Sequence, residues 1–260
     1  MRVFAFAVAL FTLCCTNTSA PQRSSGMKHY IALGDSISID YYPAVDVQRR
    51  HAGRADSDEL GAASLLHHND NRLWPEFQRR DLVTMHPGIE LQDLTADGAT
   101  TRSLAMQLGR VTKSDEPTLV TITAGGNDLL GEIGSRGNPV AEIFGRLRES
   151  VERLLVLRPN SIVIVSTVYD PTDGTNRFPG SSQTLDKEAE WLRAYNDELR
   201  RFAASDPRLR LADIQKHFLG HGVSVPAKDR WYLEESIIEP NARGASEVRR
   251  VWLSVLTSSS

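Results

Sequence analysis

The sequence predicts an α/β fold in which helices cover both faces of a parallel five-stranded sheet. Short, apolar, β-branched segments recur along the chain, each bounded by Gly, Asp or Pro, which is typical of buried strands. Segments with apolar residues at helical spacing lie between them. Strands that alternate with helices favour a parallel sheet covered on both sides, which is a three-layer α/β/α arrangement.

Each element is predicted from its own pattern, and the fifth strand from a shorter run than the others. The predicted strands lie at 29–33, 89–94, 118–123, 161–168 and 209–211. Helices are expected where apolar residues recur at helical spacing, over 140–155, 185–202 and 245–255. Arg158-Pro159-Asn160 ends the first of these helices, because a residue that precedes proline is pushed out of helical geometry.

The connection between the first two strands runs from Ser36 to Gly88, which is long for one strand-helix unit. It includes a helical pattern at 61–66. Two interpretations remain open: an insertion that lines the functional site or closes over it, and an ordinary helix with a disordered surface loop. Substrate choice is expected to depend on this connection and on the loop at 218–232.

The composition is that of an ordinary globular protein. The 260 residues include 30 Lys and Arg against 33 Asp and Glu, and 40% are apolar, which excludes collagen-like, disordered and coiled-coil classes. The formal net charge is -3 and there is no run of Lys or Arg, so a nucleic-acid partner is not expected. The length favours one domain, expected over 27–257.

The first twenty residues have the layout of a secretory signal peptide. Arg2 precedes an apolar run at 3–15 and a small polar stretch at 16–20. The run is too short to cross a bilayer, so residues 1–20 predict export to the periplasm or the extracellular space. Translation from Met27 would instead give a cytoplasmic protein. Both cysteines lie in this leader, so the rest of the chain holds no disulfide, thiolate nucleophile or cysteine metal ligand.

Three predicted strands end in residues that suit acyl transfer. Ser36 follows the first strand, Gly98 follows the second, and Asn127 follows the third after two glycines. The carboxyl ends of parallel strands meet at one edge of the sheet, where ligands bind. A hydroxyl nucleophile beside a backbone N–H and an amide donor matches acyl transfer, because the carbonyl oxygen becomes an oxyanion that fixed donors must stabilise.

These residues lie in segments that resemble a known group of enzymes. Residues 33–38, Gly98 with the Thr pair that follows it, and residues 124–128 are similar to the first three blocks of the SGNH, or GDSL-type, serine hydrolase superfamily. The resemblance extends from Tyr30 to Trp252. It implies a flavodoxin-like fold and an esterase or lipase mechanism without metal or cofactor. It also implies that Ser36 is the nucleophile and that the oxyanion hole consists of the Ser36 and Gly98 N–H groups and the Asn127 side chain.

The fourth block departs from the family pattern of Asp-x-x-His before the last helix. Ser236 stands where the Asp is expected and Glu239 where the His is expected. Glu239 is one candidate base, provided that burial raises the pKa of its carboxyl group. A histidine from another loop is the alternative, with His221 considered before His217, because imidazole titrates near neutrality.

Two functions from different classes follow. The first is a hydrolase that cleaves a carboxylic ester of a small molecule, saccharide or lipid through an acyl-serine intermediate. The second is a catalytically degenerate protein that keeps the same cleft for binding. The joint presence of Ser36, Gly98 and Asn127 favours catalysis, because a decayed enzyme has no physical need to retain all three.

Overall fold

The computed structural model describes residues 26–50 and 53–257. Its centre is a five-stranded, all-parallel sheet in the order β2-β1-β3-β4-β5, which is the flavodoxin-like order. The strands are β1 (His29–Gly34), β2 (Glu90–Asp93), β3 (Thr118–Thr123), β4 (Ser161–Ser166) and β5 (Leu209–Ala212). All five predicted strands form, and the predicted fold class is confirmed.

Helices precede or follow each strand. They are α1 (Tyr41–Arg50), α2 (Ala62–His67), α3 (Leu82–Met85), α4 (Ser103–Leu108), α5 (Gly126–Gly131), α6 (Val140–Leu157), α7 (Asp186–Ala203), α8 (Ile214–Phe218) and α9 (Ala242–Thr257). Short 3-10 turns lie at Pro75–Phe77 and Ala227–Asp229. The three long helices predicted from apolar spacing correspond to α6, α7 and α9.

Successive residues of a strand enter two different cores, because strand side chains alternate between the faces of the sheet. Ile31 and Leu33 of β1 belong to the core that α6 and α7 cover. Tyr30 and Ala32 belong to the core on the other face, which contains Trp252 of α9. Burial on both faces explains why the strands read as continuous apolar runs.

The long connection after β1 belongs to the helical layer on one face of the sheet. It contains α1, α2, a 3-10 turn and α3, and both α1 and α2 contact α9. The connection is therefore packed against the body of the molecule, which fits the ordinary-helix interpretation better than a lid.

The expected signal peptide at residues 1–20 lies outside the described residues. Within residues 26–50 and 53–257, no helix combines the length and the apolar character needed to cross a membrane.

Candidate active site

Ser36 lies in the turn that leaves the carboxyl end of the central strand β1. The turn requires glycine at position 34, where φ is 117° and a Cβ atom would lie 1.7 Å from the carbonyl oxygen of Thr123. The N–H of Asp35 donates to that same oxygen at 2.9 Å. Close contact with β3 therefore fixes where the chain turns and where Ser36 emerges.

A second contact to this turn comes from Gln107 in α4. Its Oε1 accepts a hydrogen bond from the N–H of Gly34 at 2.8 Å, and its Nε2 donates to the Gly34 carbonyl at 2.9 Å. Both bonds are buried, so they hold the strand end rigidly. Sequence reasoning missed Gln107, because a lone glutamine in a helix carries no pattern that points to a strand end 73 residues earlier.

Asn127 lies in the first turn of α5, at the end of β3. The helix begins after Gly125, where φ is 106° and a Cβ atom would lie 2.4 Å from the ring of Tyr195. One N–H of the Asn127 amide donates to the Ala99 carbonyl at 3.0 Å. Because a primary amide has two N–H donors, the second is left for a ligand in the cavity that Asn127 lines.

Asp128 joins the loop that follows Gly98 to α5. Its carboxylate accepts from the N–H and the hydroxyl of Thr101 at 2.7 and 2.8 Å. Arg146 donates to it at 2.9 Å. These bonds link the second and third strand ends, which brings the segments of Gly98 and Asn127 together.

Two backbone N–H groups at the site are free to bind a ligand. Within the described chain, neither the N–H of Ser36 nor that of Gly98 donates a hydrogen bond, whereas the N–H of Ile37 donates to Asp35 Oδ1. Gly98 itself turns the chain with φ at 66°. Unpaired N–H groups at a strand end are available for a developing negative charge.

The side chain of Glu239 reaches Ser36. The Ser36 hydroxyl donates to Glu239 Oε1 at 3.1 Å, and both residues are only 5% exposed. The Glu239 loop is held by a hydrogen bond from the Tyr169 hydroxyl to the Ile238 carbonyl at 2.7 Å. It leads into α9, where Asn241 Oδ1 accepts from the N–H of Gly244 at 2.8 Å and caps the helix.

Burial changes the titration of two carboxyl groups here. Desolvation raises the pKa of Glu239 to about 7, against the hydrogen bond from Ser36, and the charge of Asp97 adds to the rise. Burial likewise raises the pKa of Asp35 to about 7, with a further contribution from the charge of Glu239. Glu239 Oε2 is buried with no hydrogen-bond partner among the described residues. Both carboxyl groups are therefore protonated more readily near neutral pH than an ordinary carboxyl group is.

An open cavity extends from Ser36, Asn127 and Glu239. Its walls are largely apolar and come from α5, the segment after β4, and α7. They include Leu129, Leu130, Ile133, Phe178, Leu185 and Leu192. The connection at 36–88 contributes Ser36 and Ile37, and the loop at 218–232 contributes no lining residue. The expectation that substrate choice depends on these two segments stays a prediction, and most of the walls of this cavity come from other elements.

The family of this chain follows from a comparison of its sequence with models of protein families. A model of the GDSL-like lipase and acylhydrolase family matches residues 32–246, a span that includes Ser36, Gly98, Asn127 and Glu239. The chain belongs to the GDSL-like lipase/acylhydrolase family. Curated protein sequences gave no match.

Solved structures with the same fold include three named enzymes. An extracellular lipase from Streptomyces rimosus is 21% identical with a TM-score of 0.53, and the alignment covers 90% of this chain and 100% of the lipase. The acetylxylan esterase Axe2 from Geobacillus stearothermophilus is 18% identical with a TM-score of 0.57, covering 90% and 96%. Phospholipase A1 from Streptomyces albidoflavus is 19% identical with a TM-score of 0.53, covering 90% and 100%.

In this GDSL-family chain, the structure brings Glu239 to Ser36 and leaves the two histidines elsewhere. His221 Nδ1 is 3.1 Å from the Asp229 carbonyl oxygen, and its ring stacks on Trp231 at 3.7 Å. His217 Nε2 forms a 2.8 Å contact with Glu247 Oε2. Neither imidazole lines the Ser36 cavity.

Proposed function

We propose that this protein is a serine hydrolase that cleaves a carboxylic ester through an acyl-serine intermediate, with Ser36 as nucleophile and Glu239 as general base. The observation that carries the proposal is the buried hydrogen bond of 3.1 Å from the Ser36 hydroxyl to Glu239 Oε1. A carboxylate with an ordinary pKa is a poor base for an alcohol, and a carboxyl group raised to about 7 is better matched.

The reaction begins with attack of Ser36 Oγ on the ester carbonyl carbon while Glu239 takes the hydroxyl proton. The carbonyl oxygen becomes an oxyanion, and its donors are the N–H groups of Ser36 and Gly98 and the side chain of Asn127. Collapse of the tetrahedral species breaks the bond to the alcohol, which leaves with the proton from Glu239. The products of this half-reaction are a free alcohol and an acyl group on Ser36.

Hydrolysis of the acyl-serine repeats these steps with water as the nucleophile. Glu239 takes a proton from water, the hydroxide adds to the acyl carbon, and the oxyanion occupies the same hole. Expulsion of Ser36 Oγ, with the proton returned from Glu239, releases the carboxylic acid and restores the enzyme. In both half-reactions, residues of this chain supply the base and the oxyanion donors.

The substrate is a small-molecule, saccharide or lipid ester. The apolar walls of the Ser36 cavity, among them Leu130, Phe178 and Leu192, favour an acyl group longer than acetyl, because burying each methylene is worth about 0.8 kcal/mol. The lipase and phospholipase among the solved relatives support an acyl chain, and the acetylxylan esterase supports a saccharide alcohol. The predicted leader and the extracellular relative support export.

A fluorophosphonate probe tests the nucleophile, because it reacts with an activated serine and spares an idle one. We expect peptide mapping to locate the label on Ser36 and expect Ser36→Ala to abolish both labelling and hydrolysis of p-nitrophenyl esters. Ser38→Ala is the matched control: it removes a hydroxyl two residues away that contacts Thr123, and it retains labelling.

Labelling of Ser36 together with ester hydrolysis supports the proposed enzyme. Absence of both in the folded wild-type protein refutes it and leaves the degenerate binding protein as the better description. Labelling on a different serine, with full activity in Ser36→Ala, refutes the assignment of Ser36.

A further inference from the structure

A second open cavity lies between α1, the residues around 72–74, the loop at 227–230 and the start of α9. Its lining is strongly basic, and Asp46 is the acidic residue among the lining groups. The cationic side chains are Arg50, Arg54, Arg72, Lys228, Arg230 and Arg243. We call this cavity the basic pocket. Its basic character contrasts with the formal net charge of -3 for the whole chain.

Protein carboxylates neutralise two of these six cations. Asp46 contacts Arg50 at 2.7 Å and also accepts from the N–H of Ala242 at 3.2 Å. Glu234 lies 3.6 Å from Arg50, and Asp56 lies 3.3 Å from Arg72. Asp46, the acidic residue of the lining, is thus already engaged with Arg50.

The other four cations have no carboxylate partner among residues 26–50 and 53–257. Arg230 donates to the carbonyl oxygens of Val225 and Val223 at 2.8 and 3.2 Å, which positions its guanidinium without neutralising it. Arg54, Lys228 and Arg243 form no ion pair with a described residue, and Arg243 lies 5.9 Å from the Trp231 ring centre. All three are exposed, so an incoming ligand can reach them.

Four unneutralised cations around one cavity repel one another, and a bound anion relieves this repulsion. Arginine also presents N–H donors in a fork that matches phosphate geometry. A single carboxylate supplies one negative charge, whereas a phosphoryl monoester carries about -1.5 to -2 near neutral pH. A phosphoryl group therefore suits this arrangement best.

We propose that the basic pocket is a binding site for phosphoryl groups, separate from the ester site. The two cavities have no lining residue in common. One segment contributes to both: Glu239 lines the Ser36 cavity and Asn241 lines the basic pocket, and their Cα atoms are within about 7.6 Å of each other. The phosphoryl group comes from a free phosphorylated molecule or from a lipid headgroup, and both share the same recognition chemistry.

Calorimetric titration of the full chain with inorganic pyrophosphate at low ionic strength tests the site. We expect wild type to bind and the triple variant Arg54→Gln, Lys228→Gln, Arg243→Gln to lose about tenfold or more in affinity, since charge-assisted hydrogen bonds are lost. The matched control is Lys113→Gln, Arg136→Gln, Arg153→Gln, which removes the same charges from exposed positions outside the pocket and keeps wild-type affinity. Ser36→Ala also keeps it, so the result does not depend on the proposed esterase.

A vesicle-binding experiment distinguishes the two sources of the phosphoryl group. A lipid headgroup is supported if the wild-type protein co-sediments with phosphatidylcholine vesicles that contain phosphatidic acid. This binding should be lost in the pocket variant and retained in the control. Pyrophosphate binding without vesicle binding supports a free phosphorylated ligand. Lys228→Gln alone, at an exposed loop position, covers the case in which the triple variant fails to fold, and it should also weaken binding. Failure of wild type to bind either probe, or equal loss in the control, overturns the proposal.

Discussion

Two opposing effects act on the ionisation of the buried Glu239 carboxyl group. It accepts a hydrogen bond from Ser36, which stabilises the ionised form, while burial favours the protonated form and raises the pKa to about 7. Asp35 is buried nearby, and the two carboxyl groups interact. Their protonation is therefore coupled, and a measured pH profile reports the pair.

Replacing Glu239 tests the proposed base. Glu239→Gln keeps the size of the side chain but cannot accept a proton, so we expect kcat/KM to fall about 1000-fold, within the usual range for a general base. Wild-type kcat/KM should rise with pH through about 7, because the base acts only when deprotonated. Steady-state kinetics on a p-nitrophenyl ester across this range measure both.

His221→Ala is the matched control for this prediction. Because His221 contacts Asp229 and Trp231 away from the Ser36 cavity, the substitution should change kcat/KM by no more than about twofold, as a surface change does. Severe loss in His221→Ala with little loss in Glu239→Gln would assign the base to the histidine instead.

Asn127 is the side-chain donor of the proposed oxyanion hole. Asn127→Ala should lower kcat about 100-fold or more and leave KM nearly unchanged, because the donor acts mainly in the transition state. Asn127→Asp, which places negative charge beside the oxyanion, should be at least as harmful. A change in KM alone would make Asn127 a substrate-binding residue.

At the level of elements, the loops that carry the proposed catalytic residues and the helices that shape the cavity are different parts of the chain. The turn after β1 carries Ser36, and the loop before α9 carries Glu239, while α5 and α7 supply much of the apolar wall. The helix α7 is 18 residues long, and one side faces the core and the cavity. We therefore expect substitutions in α7 to change the substrate range without altering the proposed reacting groups.

Ala189→Phe tests this role of α7. Ala189 lines the cavity, so a larger side chain should reduce kcat/KM for p-nitrophenyl octanoate about tenfold and leave the acetate ester little affected, since only the long chain needs that space. Ala194→Phe, at an exposed position of the same helix, is the control and should preserve the wild-type profile. Equal losses on both esters in Ala189→Phe would argue against an acyl-binding role for this wall.

At the scale of the whole molecule, the site reduces the free energy of unfolding above neutral pH. Asp35 and Glu239 have pKa values near 7 in the folded chain, well above their ordinary values. The folded state therefore holds more protons than the unfolded state between about pH 4 and 7. The stabilisation that this provides is present in full at the acid end of the window and is lost as the pH rises through 7.

Urea unfolding of residues 27–257, which we propose to be one domain, measures this dependence. We expect one cooperative transition, and Glu239→Gln should gain stability relative to wild type more at about pH 8 than at about pH 5. Glu190→Gln, which removes an exposed carboxyl on α7, should show no such difference. A Glu239→Gln effect that is the same at both pH values would contradict the raised pKa.

Local sequence patterns predicted the fold and three residues of the candidate site. Apolar runs and helical spacing predicted the five strands and the long helices, because secondary structure depends on periodicity that is visible within a few residues. Ser36, Gly98 and Asn127 were predictable together, because parallel strands present their carboxyl ends at one edge of the sheet. The glycine at position 34 is required by a contact with β3 that the strand order creates, and the glycine at position 125 by the Tyr195 ring of α7.

Only the tertiary structure shows that Glu239, and not His221, contacts Ser36, because that contact joins residues 203 positions apart. The bonds from Gln107 to Gly34, the cavity walls from α5 and α7, and the basic pocket depend in the same way on the packing of distant segments. No local pattern encodes such contacts. They arise when the sheet and its helical layers bury their apolar faces together, and this packing sets which polar side chains meet in the low-dielectric interior.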